Sequence, residues 1–345
     1  MRGGGEAEGA AYRVTLRVPL EALRGGLLWL TGFAGAFVFV EPSPYEIVSL
    51  ATIAVFALTG LALRPAIMPL IFLLAFYVIG FMIAVVPVMG QPKTMQWVMI
   101  SLYMAATATF FAAMLGTNTE ARLRLLLKGY MAAAVVATMA AVAGYFHLVP
   151  GASALFLRYE RAQGTFNDPN VFGAFLVLPA LLALQRMFAG RPAQIMRGGA
   201  LLLFLAVGLL LSFSRGAWGQ FAGAAALLLL LTFLTSRSSR ERMRIVAIAG
   251  IGCIGLALFV LALLSVDQVA DLFKERASLQ QSYDTGPTGR FGRHALGFLL
   301  ALERPFGIGP LQFAKIFPED PHNAYLNAFM SGGWLSGASY LTLVS

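Results

Sequence analysis

Four arginines and a histidine stand out from an otherwise apolar chain, each in or beside a turn-forming stretch. Arg215 lies in Leu211-Ser212-Phe213-Ser214-Arg215-Gly216-Ala217-Trp218, midway along an apolar tract from about 198 to 235. Roughly 38 residues at about 1.5 Å each give roughly 57 Å. That is barely two crossings of a ~30 Å hydrocarbon core, so this turn stays close to hydrocarbon, where a lone cation costs several kcal/mol. Arg215 either snorkels to lipid headgroups or offsets its desolvation by binding an anionic ligand, and the second reading is preferred. Arg158 and Arg161 precede Gln163-Gly164-Thr165-Phe166-Asn167-Asp168-Pro169-Asn170, whose Gly, Pro and Asn make a tight turn. Anchoring at a membrane interface and anion binding fit those two arginines equally well. Gly286-Pro287-Thr288-Gly289-Arg290 is another turn that presents an arginine. Three guanidinium groups together suit a diphosphate, because their forked donors match phosphate oxygens. His322 opens the stretch His322-Asn323-Ala324-Tyr325-Leu326. Histidine is the side chain best matched to act as a base near neutral pH, with a capping role as the plain alternative. His147 and His294 have less around them and are read as structural.

The elements that must position these groups follow from composition. The chain has 345 residues, 59% hydrophobic and 12% charged, with a mean hydropathy of +0.76. A soluble domain carries roughly twice that charged fraction, which excludes one here. Apolar runs long enough to cross a bilayer recur from end to end. They are continuous, not alternating, so the fold class is all-α and a membrane barrel is excluded. Helices are expected at about 25–40, 47–63, 66–89, 98–115, 128–149, 171–189, 198–213, 217–235, 245–264 and 323–343. With a cytoplasmic N-terminus, the cytoplasmic segments hold 15 of the 25 basic residues and 5 of the 16 acidic ones. That asymmetry obeys the positive-inside rule. The net charge of +9 is then topological, and a nucleic-acid partner is excluded.

The organisation read from this plan is a cytoplasmic tail over 1–24, a first set of membrane helices over 25–149, and a second region over 150–345. Two longer outer loops are expected, about 150–170 and 265–322, and long loops of this kind are commonly functional. In the second, Val266, Val269, Ala270, Phe273 and Ala277 have helical spacing, with Ser265 or Asp267 as a cap, which suits a helix lying on the membrane surface. The apolar stretch Phe291 to Leu302 is expected to pack back against the bundle. Cys253, in an apolar run, is read as a buried small hydrophobe. The first run is read as a retained anchor, and a natural chain continuing past Ser345 is favoured over one ending there. No Asp-x-Asp, no His/Cys/carboxylate cluster with metal spacing and no Walker lysine loop is found, so no metal and no cofactor is expected. Gly307-Ile308-Gly309-Pro310 lacks the context of a dinucleotide fingerprint.

These features, in this order, resemble the O-antigen ligase and bacterial polysaccharide polymerase family. The stretches that carry the resemblance are Arg161-Ala162-Gln163-Gly164-Thr165-Phe166 with Asp168-Pro169-Asn170, then Ser214-Arg215-Gly216-Ala217, then Gly289-Arg290. Pro305-Phe306-Gly307-Ile308-Gly309-Pro310 leading to His322-Asn323-Ala324-Tyr325-Leu326 completes it. The match covers about 158–340, and the first 150 residues share only a hydropathy plan. The resemblance implies a polytopic, GT-C-like glycosyltransferase of about ten transmembrane helices in a bacterial inner membrane, active at the periplasmic face. It would move glycan from undecaprenyl diphosphate to an acceptor hydroxyl, with inversion and without a metal, in lipopolysaccharide or exopolysaccharide synthesis. It implies Arg161, Arg215 and Arg290 as diphosphate ligands and His322 as the base, with Arg158 and Asn170 in secondary places. Its partners would be the lipid-linked glycan, an acceptor glycan or lipid, and membrane lipid. Ligase and polymerase remain equally open. A polysaccharide flippase is the alternative from another class, and a shape-related peptidoglycan polymerase is a third possibility.

Overall fold

A computed structural model describes residues 19–40, 42–189, 192–266, 269–273, 289–317 and 319–345, the side chains of Ala189 and Arg290 excepted. The chain runs through α1 (Leu20–Ala34), α2 (Pro44–Thr59), α3 (Met68–Val85), α4 (Pro92–Leu115), α5 (Thr119–Tyr145) and the short α6 (Ala152–Phe156). A hairpin of β1 (Leu157–Arg158) and β2 (Arg161–Ala162) follows. Next come α7 (Pro169–Ala189), α8 (Pro192–Leu211), α9 (Arg215–Thr235) and α10 (Ser239–Leu263). A helical stretch over 269–273 precedes α11 (Arg290–Glu303), α12 (Phe313–Ile316) and α13 (Ala324–Val344).

Local sequence sets many of these boundaries. Ser43 and Glu46 close a capping box ahead of α2, with Pro44 at its first position. The side chains of Ser214, Ser238 and Asn323 accept the N–H groups of Ala217, Glu241 and Leu326 and so start α9, α10 and α13. Helices stand at all ten places expected from hydropathy. Among the described residues, seven stretches are long and apolar enough to cross a membrane: Pro65–Val88, Pro92–Leu115, Thr119–Tyr145, Pro169–Phe188, Pro192–Leu211, Arg215–Thr235 and Ser239–Leu263. The other three fall short for separate reasons. α1 and α2 have 15 and 16 residues, whereas a straight crossing takes about 20. α13 has 21 residues but is rich in polar and small side chains and breaks at Gly333.

The helices pair where small residues let backbones approach. A Cβ on Gly32 of α1 would lie 2.3 Å from the Leu126 carbonyl of α5, and one on Gly129 of α5 would lie 2.0 Å from the Trp29 carbonyl. In a bilayer, where apolar burial gives little drive, such close packing is what joins helices. α13 packs on α3 in the same way, with Ser336 Oγ donating to the Tyr77 carbonyl at 2.6 Å. The largest core joins α5, the hairpin, α7, α8 and the start of α9 around Ala137, Phe166, Phe172, Leu176, Leu205 and Phe213.

Three expectations need adjustment. α1 begins at Leu20, so Leu20 to Arg24 form helix and not tail. Arg24 is only 8% exposed, because its guanidinium donates to the carbonyls of Thr59 and Gly60 at the end of α2 and pairs with Glu21. A cation at a helix C-terminus satisfies the last carbonyls. Cys253 is exposed, not buried in the protein. It sits on α10, of whose most apolar stretch only 6% is inside the protein, against 39% for α5. The apolar surroundings that its sequence indicated are those of a lipid-facing helix. Of the helix expected in the second loop, the described part is 269–273, where Val269 is buried and Leu272 and Phe273 pack on the main core. Ser265 does not cap it but bonds back to Leu261, and Asp267 and Ala277 lie outside the described residues.

Candidate functional site

The polar turns gather at one end of the bundle, as the helix pairings require. Thr31 meets Thr52 and Arg24 meets Thr59, which makes α1 and α2 antiparallel. Ser49 meets Tyr103 and Phe56 meets Phe110, which makes α2 and α4 parallel. The end of α1 therefore lies at the same end of the molecule as the start of α4. The loop between α6 and α7 docks on the end of α1, where Thr165 donates to the Ala36 carbonyl and Asn167 to the Val38 carbonyl. Part of the stretch between α11 and α13 docks on the start of α4, where Gln312 and Lys315 both donate to Gln91 Oε1, at 3.0 and 2.6 Å.

The first cluster is built on the hairpin. Tyr159 and Glu160, its two central residues, have φ of 52° and 59°, the twist that a two-residue hairpin turn needs. Arg158 and Arg161 are cross-strand partners, and each has acceptors of its own. Arg158 donates to the Asn167 carbonyl and lies 5.2 Å from the Tyr159 ring centre. Arg161 is 7% exposed. Its Nε donates to the Ser212 carbonyl and its Nη2 to Asn170 Oδ1, both at 2.8 Å. Asp168 Oδ1 accepts the Asn170 backbone N–H at 2.6 Å and fixes the start of α7. Phe166, between these polar groups, is buried against Phe172 and Phe175.

Arg161 thereby ties the hairpin to the turn that carries Arg215. Only Ser212, Phe213 and Ser214 separate α8 from α9, so the turn is as tight as the hydropathy arithmetic required. Phe213 has φ 45° and is buried beside Tyr145 and Trp218. Ser212 Oγ donates to the Leu209 carbonyl and Trp218 Nε1 to that same carbonyl at 2.9 Å. Trp218 stacks on Phe273 at 5.6 Å, so the 269–273 segment covers the flank of the turn. Arg215 is the first residue of α9 and half-buried. A guanidinium on the first turn of a long helix adds its charge to the unpaired N–H groups and the positive end of the dipole. The result is a position suited to an anion beside an apolar helix surface.

The second cluster joins α11 to the start of α13. Arg290 is the first residue of α11 and follows the buried Gly289, while its side chain lies outside the described residues. Arg293, 5% exposed, donates from Nη2 to Glu319 Oε2 at 2.8 Å. His294 Nε2 bonds to the Pro321 carbonyl. His322 is exposed with φ 47°, a left-handed conformation that costs a non-glycine residue of order 1–3 kcal/mol and is held only where the surroundings determine it. Glu319 is held below the usual carboxylate range, first by the hydrogen bond and charge of Arg293 and then by the charge of His322. The stretch 305–310 docks where α13 breaks. Ile308 N donates to the Met330 carbonyl at 2.7 Å and Trp334 N to the Pro305 carbonyl at 2.9 Å. These bonds satisfy the backbone that the break at Gly333 releases, as membrane helices require.

The structure thus brings Arg161 and Asn170 into direct contact and joins both to the Arg215 turn, with Arg158 at its edge. His322 and the start of α11 belong to the second cluster, at the same end of the bundle. The sequence reading passed over Arg293 and Glu319 and took His294 as structural. A usable signal was present, because Arg290, Arg293 and His294 fall at i, i+3 and i+4 and so share one helix face.

Fold and site together define a polytopic helical membrane protein whose arginine-bearing turns converge at one end. The family model described as O-antigen ligase matches residues 200–341. That part of the chain is similar to the O-antigen ligase family. The match contains Arg215, Arg290 and His322, while Arg158, Arg161 and Asn170 lie before it. Searches of curated proteins and of solved structures gave no match.

Proposed function

We propose that this protein transfers or polymerises glycan from an undecaprenyl-diphosphate carrier onto an acceptor hydroxyl, at the periplasmic face of a bacterial inner membrane. The observation that carries the reading is the buried Arg161 bridge, which fixes the arginine-bearing α8–α9 turn at the bundle end where His322 also lies. Breaking the bond between sugar and diphosphate leaves negative charge on phosphate oxygens. Arg215 at the start of α9, with Arg161 and Arg290, supplies preorganised positive charge for it. His322 takes the proton of the acceptor hydroxyl as that oxygen attacks the anomeric carbon from the face opposite the diphosphate, so the configuration inverts. Charge neutralisation by arginine asks for no metal. Arg158 and Asn170 hold the hairpin and the start of α7 in register around this site.

A strain lacking the gene distinguishes the two reactions. Full-length polymer left on the lipid carrier identifies a ligase, and single repeat units identify a polymerase. Loss of all repeat units from the outer leaflet overturns both and favours a flippase. In the purified enzyme, Arg215→Ala and His322→Ala are each expected to lower transfer by about 10²–10³-fold while the protein still inserts. Normal glycan profiles in either variant remove that residue from the site.

A further inference from the structure

We infer that His294 is a positioning residue that, together with Arg293, holds His322 in place from α11. The inference rests on the reading of His322 as the base. His322 has no regular secondary structure to hold it: it follows the buried Pro321 and precedes the cap of α13, in a left-handed conformation. What holds the segment before it is α11. Arg293 grips Glu319 at one end of that segment, and His294 takes the carbonyl of Pro321, the peptide group leading directly into His322. A carbonyl oxygen only accepts, so His294 Nε2 is the donor and carries the hydrogen. Phe291, one turn earlier on α11, meets the His294 ring edge-on at 6.3 Å and fixes its plane.

The arrangement has a consequence for the reaction. Arg290, Arg293 and His294 share the first turns of one helix, so a diphosphate that engages Arg290 also bears on the helix that sets the direction of His322. A residue acting in this way affects turnover more than donor affinity, because the base is needed only when the acceptor attacks.

The test uses the full-length enzyme in lipid nanodiscs with lipid-linked donor, and compares His294→Phe, His294→Gln and His322→Ala. His294→Phe keeps a ring of similar size but has no donor, and is expected to lower kcat about 10- to 100-fold with KM for the lipid-linked donor within about twofold. His294→Gln, whose amide N–H reaches nearly as far as Nε2, is expected to keep most of the turnover. Where the Phe variant fails to insert, His294→Asn, polar but shorter, gives the same loss of kcat at unchanged KM. Wild-type kcat in the Phe or Asn variant, with His322→Ala inactive, overturns the role of His294 alone. Equal losses in the Phe and Gln variants also overturn it, because the donor would then not be what matters. An active His322→Ala overturns the reading beneath it.

Discussion

Among single side chains, Arg161 separates what residue type reveals from what structure adds. Its sequence setting indicated a cation near a tight turn, but equally an interface anchor. The structure buries it and commits two of its donors to Ser212 and Asn170. Lysine carries the same charge without the fork, so it cannot serve both acceptors in the same geometry. Arg161→Lys is expected to cost about 1–3 kcal/mol, the penalty for a buried acceptor left unsatisfied, read as a lower melting temperature in detergent, with transfer activity falling as well. Unchanged melting would mean that the bridge contributes nothing to the fold. Glu319 makes a pH-dependent contribution of definite sign. Its folded pKa is lowered from the ordinary 4.5 by Arg293, so the pair stabilises the protein fully above that value. The stabilisation declines as the pH falls below it and is gone once the depressed folded value is passed. Glu319→Gln should flatten the acid limb of a melting curve measured between about pH 3 and 7, and an unaltered limb would refute the assignment. Arg293 and Glu319 were not legible in the sequence because 26 residues separate them, and no local pattern records a pairing at that range.

Among the elements, hydropathy located ten of the helices, because apolar length is a local property that lipid imposes on each segment by itself. Where prediction and structure part, a polar side chain extends a helix beyond its apolar run. Arg24 extends α1 backwards by finding the end of α2, and α5 starts at Thr119, well before its apolar run, with Arg124 pairing to Glu120 one turn back. The break in α13 was foreshadowed only by a glycine pair, and its cause is the docked 305–310 stretch. Gly333 has φ 70°, and a Cβ there would lie 2.3 Å from the Pro305 carbonyl. Gly333→Ala combines a left-handed penalty with overpacking, and should cost roughly 2–4 kcal/mol. Gly26, in α1, has open space around its position, so Gly26→Ala is the control and should be neutral or stabilising by up to about 1 kcal/mol. Thermal unfolding of both variants in the same detergent decides the point, and equal melting temperatures would show that the break is not enforced at Gly333.

At the scale of the whole molecule, the two ends of the bundle differ in kind. At one end, Arg24 and Arg122 stand over the Phe56 ring at 5.0 and 5.2 Å. Arg122 also donates to the Met114 carbonyl at the end of α4. These cations close helix C-termini, and they lie on the side that the distribution of positive charge assigns to the cytoplasm. At the other end are the hairpin, the Arg215 turn and the start of α13. The same sequence feature therefore has two structural fates. Arg24 and Arg122 end on the carbonyls that close α2 and α4, whereas Arg161 and Arg215 stand at the turn between α8 and α9. Orientation is then a testable property of the whole chain. Cys253 is the only cysteine and faces outward from α10, so Cys253→Ser gives a background without thiols at little structural cost. On that background, Ala154→Cys places a thiol on exposed α6, beside the hairpin, and Ser239→Cys places one at the exposed start of α10. A membrane-impermeant maleimide should label the first in intact spheroplasts and the second only after the membrane is opened. The reverse pattern would put the arginine-bearing turns in the cytoplasm, away from any acceptor on the outer leaflet, and the proposed reaction would fail with it.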